Sequence, residues 1–64
     1  MENNLKKIIK KSGVTISHII KITGISRSAF YEIMNGQAVP SLLNARKICN
    51  AVGKTLEQVF PEGQ

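Results

Sequence analysis

The 64-residue chain carries nine lysines and arginines against four glutamates, for a formal charge of +5 and a pI near 9.8. One cysteine and one histidine exclude an internal disulfide and any zinc-ligand spacing, and no apolar run approaches the roughly 20 residues that cross a bilayer. A hydrophobic content of 42% is that of a folded domain, here near the lower size limit for a core that must hold without staples.

Leu5, Ile8 and Ile9 recur at i, i+3 and i+4 with lysines in the gaps, which predicts an amphipathic first helix stopped near Ser12-Gly13. Thr15 caps a second helix with Ile16, Ile19 and Ile20 facing inward and Gly24 at its end. Ser26 caps a third, which Asn35-Gly36 terminates. Pro40 breaks the chain, and Ser41 caps a fourth helix with a stripe of Leu42, Ala45, Ile48, Cys49 and Val52, ended by Gly53. Thr55 with Gln58 forms a capping box for a short fifth helix carrying Leu56, Val59 and Phe60, stopped by Pro61. There is no strand alternation, repeat or linker. The expectation is one all-α domain over residues 1–64, built of five short helices. The tight Gly24-Ile25 connection before the Ser26 cap is that of a helix-turn-helix formed by helices two and three.

The third helix is two-sided. At about 100° per residue, Arg27, Ser28, Tyr31, Glu32 and Asn35 fall within an arc of roughly 140°, with Ala29, Phe30 and Ile33 opposite. The charge is one-sided too. Between Asn3 and Tyr31 there is no acid, while Lys6, Lys7, Lys10, Lys11, Lys21 and Arg27 all lie there. A one-signed half of a small domain points to a polyanionic partner.

Taken in order, GVT at 13–15, TGISRSAFYEIMNG at 23–36, PSLLNARKICNAVG at 40–53 and TLEQVF at 55–60 resemble the Cro/C1-type (XRE-like) helix-turn-helix family of phage and bacterial regulators, over roughly residues 5 to 60. The resemblance implies a lambda-repressor-like fold whose third helix enters the major groove of double-stranded DNA. By position, Arg27, Ser28, Tyr31 and Glu32 become the base contacts, with the arginine fork suited to guanine and Glu32 to cytosine N4. Phosphate contacts fall to Thr15, to the backbone at Ile16, and to Asn35 and Gln37, the asparagine doubling as a helix terminator. The family relationship further implies a homodimer on a palindromic operator, meeting through Val59, Phe60 and Pro61. The function implied is transcriptional regulation, as a Cro-like repressor of phage or mobile-element type acting in the cytoplasm. The alternative is an interaction module of the same fold, an antirepressor or antitoxin-like partner binder.

Several positions depart from the family pattern. Ile16 stands where a phosphate-gripping Gln is common, Ile20 where a small Ala is usual, Ile22 where a polar residue is usual and Thr23 where an apolar one is. The loop after Gly36 reads Gln37-Ala38-Val39 rather than basic. Ile9 and Met34 replace both halves of an Arg–Glu pair, a double exchange that is often neutral or stabilising. His18 falls on the solvent side of its helix and Cys49 on an apolar stripe, and no nucleophile–base or carboxylate pair is spaced for catalysis. A non-enzymatic protein without cofactor, metal or small-molecule ligand is expected.

Overall fold

The computed structural model describes residues 3–61 and places five helices in them: α1 (Leu5–Ser12), α2 (Ile16–Thr23), α3 (Arg27–Met34), α4 (Leu42–Val52) and α5 (Leu56–Val59). Four of them begin on a hydroxyl. Thr15, Ser26, Ser41 and Thr55 accept the backbone N–H three residues on, from His18, Ala29, Asn44 and Gln58. At Thr55 the Gln58 side chain also accepts the cap's own N–H, completing the box. Each cap carbonyl then accepts the next N–H, from Ile19, Phe30, Ala45 and Val59, at 2.8–3.2 Å. Those four side chains are all buried. The cap therefore fixes the phase of the helix as well as its start, and the residue four positions later points into the core.

α1 begins differently. Asn4 makes no side-chain cap for it. Instead its backbone N–H donates to Val59 O and its Nδ2 to Gln58 O, both at 2.9 Å. The preceding Asn3 donates through Nδ2 to Ile33 O at 2.7 Å and accepts the Leu5 N–H at 3.0 Å. Carbonyls at the ends of α3 and α5 thus accept from the chain entering α1, Ile33 O in addition to the Gly36 N–H.

α4 packs against α1, α2 and α5, and α2 packs against α3. Leu5, Ile19, Phe30, Ile48 and Val59 are the largest fully buried side chains, so all five helices contribute to one cluster. Between α2 and α3 the chain turns on Gly24, whose left-handed φ of 75° lets its N–H reach Ile20 O at 2.9 Å. Thr23, which stands where an apolar residue is usual, is buried with its Oγ1 accepting the Ile25 N–H at 3.3 Å. A buried hydroxyl with a local partner costs little, and it stiffens the turn.

Two expectations about burial are corrected. Leu42 does not join the α4 stripe but is 60% exposed. It lies about 60° round from Ala45 and about 120° from Ile48, on the rim of the stripe and in the first turn of the helix. Val59 and Phe60, expected at a dimer contact, are 0% and 2% exposed within the single chain. The Thr55 cap turns Val59 inward and Phe60 joins the same core cluster, while Asn4 binds the carbonyls of Gln58 and Val59. Of that trio, Pro61 alone retains partial exposure.

Candidate nucleic-acid interface

α3 presents the two faces that its sequence describes. Phe30 and Ile33 are buried, while Arg27, Ser28, Tyr31, Glu32 and Asn35 are exposed. The Ser26 cap sets that rotation, since Phe30 follows it by four, and the Gly24–Ser26 turn ties α3 to α2. Ile25, within the turn, is itself buried. The exposed face is thus held by the core beneath it.

Arg27 is not loose on this surface. Its Nη2 donates to the Ser17 Oγ at 3.1 Å, joining the first turn of α3 to the first turn of α2. Ser17 carries no signal of its own in the sequence. Only the geometry of the turn, which lays the two helix starts side by side, brings it within reach.

The exit from α3 is closed by its own backbone. Asn35 N–H donates to Tyr31 O, Gly36 N–H to Ile33 O, and both Gln37 and Ala38 N–H to Glu32 O, at 2.8–3.2 Å. Asn35 keeps an ordinary φ of −86°, so the left-handed position falls on Gly36 at φ 80° rather than on the asparagine. With these N–H groups engaged, Asn35 and Gln37 have their exposed side chains to offer an external acceptor. At the start of α2 the arrangement is reversed. Thr15 Oγ1 takes the His18 N–H and Thr15 O the Ile19 N–H. The N–H groups of Ile16 and Ser17 are then the donors left at that helix end. The Ile16 side chain is half-buried and packs on the core.

All nine cationic side chains are exposed. Among the described residues the carboxylate side chains are Glu32 and Glu57 alone, so the surface taken as a whole is net positive. Lys7, Lys11 and Lys54 also line a shallow groove of about 310 Å³ with Ile8, Ser12 and Gln58, away from α2 and α3. His18 is exposed on α2, whereas Cys49 is buried on α4, where burial pushes its thiol pKa up and keeps it neutral. Among the described residues, no three His, Cys, Asp or Glu side chains gather to hold a metal ion. None of the helices there is long and apolar enough to cross a membrane.

Comparison with known proteins places this arrangement. The Cro/C1-type HTH DNA-binding domain matches residues 4–60. Over 60 residues the chain is 35% identical to an uncharacterized HTH-type transcriptional regulator of Bacillus subtilis (strain 168), YgzD, covering 94% of this chain and 91% of that protein.

Proposed function

This chain belongs to the Cro/C1-type helix-turn-helix DNA-binding family, and from that premise we propose that it is a sequence-specific regulator of transcription that reads the major groove with α3. The observation that carries the reading is the exposed arc of Arg27, Ser28, Tyr31 and Glu32 on a helix locked to the core by Phe30 and Ile33. Those four side chains contact bases. The N–H groups behind Thr15, at Ile16, with the side chains of Asn35 and Gln37, hold phosphates on either side and set the register.

The protein acts as a repressor of the Cro-like, phage or mobile-element type, occupying a palindromic operator as a homodimer. The single helix-turn-helix supports the dimer: one recognition helix reads one half-site, and two are needed to select an operator from a genome. Because Val59 and Phe60 are in the core, the dimer contact draws on other surface, with Pro61 at its margin.

Selection of bound sites from a random duplex pool, followed by titration at two salt concentrations, tests the proposal. A recovered palindrome and a steep salt slope are expected. A flat slope with no recovered site would favour the interaction-module reading, which the exposed Ile22, Val39, Leu42 and Leu43 support.

A further inference from the structure

Arg27 opens α3 and Ser17 lies in the first turn of α2, and the hydrogen bond between Nη2 and Oγ joins two backbones that are separately fixed. The Thr15 cap sets the phase of α2 and the Ser26 cap that of α3. Between them, the Gly24 N–H on Ile20 O and the Ile25 N–H on Thr23 Oγ1 hold the turn. The anchor is therefore as well placed as the residue it holds. Its neighbour Ile16 has no polar end, so at the start of α2 it is Ser17 that reaches the guanidinium.

An exposed arginine samples many rotamers, and each must be given up before its fork can meet a base edge. A neutral hydroxyl suits the task of narrowing them. It accepts one N–H and leaves the others on the planar fork available, without the full charge that would make a carboxylate compete with the DNA. We propose that Ser17 is a positioning residue for specificity: it holds the Arg27 guanidinium ready in the orientation that discriminates one base pair. This rests on the reading of α3 as the recognition helix.

The test uses the full chain with Ser17→Ala, Ser17→Thr and Arg27→Ala, on three duplexes: the selected site, the same site changed at the base pair that Arg27 reads, and a random sequence. Ser17 is exposed and Ala is the better helix former, so the variants stay folded. Ser17→Ala is expected to lower the preference for the selected over the changed site by about three- to tenfold, the worth of one hydrogen bond. Random-duplex affinity should stay within about twofold, and Ser17→Thr, which keeps the hydroxyl, should restore the preference. Without DNA, nitrogen relaxation should find the Arg27 Nε–H more ordered than that of Arg46, exposed on α4, and Ser17→Ala should erase the difference.

An Arg27 as mobile as Arg46 in the wild type would overturn the tether. So would an equal loss on all three duplexes, which would make Ser17 a phosphate contact. If Arg27→Ala itself leaves the preference unchanged, the recognition-helix reading fails, and the positioning role with it.

Discussion

α3 and α4 start alike and end up with opposite surfaces. Each begins on a serine whose Oγ takes the N–H three residues on, and each buries the residues four and seven past that serine: Phe30 and Ile33 in one, Ala45 and Ile48 in the other. Register and core-facing phase are the same. Directly after the cap, α3 exposes Arg27 and Ser28, whereas α4 exposes Leu42 and Leu43. Those two positions lie outside the core in both helices whatever occupies them. Core packing therefore does not dictate their chemistry, and it leaves the polar pair of α3 as free a choice as the apolar pair of α4. Substitutions at matched positions can separate the shared register from the differing surface.

The largest effect belongs to the shared register. Phe30→Ala removes a fully buried ring and should cost about 3–5 kcal/mol. A domain of this size holds roughly 3–10 kcal/mol in all, so thermal melting followed by circular dichroism should find the variant largely unfolded or close to it. A loss under about 1 kcal/mol would mean that α3 is not phased by its cap as described.

Next in size is the contrast at the first helical position. Arg27→Ala should cost about 1–3 kcal/mol of binding on the preferred site and relax the choice of one base pair. Leu42→Ala, its counterpart in α4, should leave base preference intact. A uniform loss for Arg27→Ala across all sequences would make it a phosphate contact.

The caps themselves come third. Ser26→Ala and Ser41→Ala should each lower stability by about 1 kcal/mol, measured by urea titration. Because their geometries match, with Oγ accepting at 3.2 and 3.1 Å, the two losses should agree within about 0.5 kcal/mol.

These caps are also why so much of the fold could be read from the residues. A hydroxyl before an apolar stripe and a glycine after it act within a single turn, so Thr15, Ser26, Ser41, Thr55 and Gly24 declared their roles without neighbours. The two faces of α3 were legible for the same reason. The failures all needed a partner distant in sequence. Asn3 and Asn4 close the ends of α3 and α5 across 30 and 54 residues, and nothing local marks them. Val59 and Phe60, which read as interface because α5 alone is too short to hide them, are covered by the core that the other four helices supply. Ser17 acquires its contact only through the turn geometry. Leu42 sat on the rim of a periodic stripe, where periodicity cannot say whether another helix arrives to cover it.

The smallest effect sharpens the comparison from the α4 side. Leu42 and Leu43 are 60% and 65% exposed, so Leu42→Ser with Leu43→Ser should change the stability of the isolated chain by no more than about 0.5 kcal/mol per site. Serine is a poorer helix former than leucine, and the Ser41 cap upstream is untouched, so a small destabilisation is the expected sign. The informative readout is then assembly, by sedimentation over a range of concentrations and by affinity for a palindrome against a half-site. If water covers these leucines, both measurements stay at their wild-type values. A shift to monomer, with palindrome affinity falling to that of the half-site, would show a second copy covering them. The first turn of α4 would then serve assembly as the first turn of α3 is proposed to serve recognition, with both surfaces displayed by one capping register.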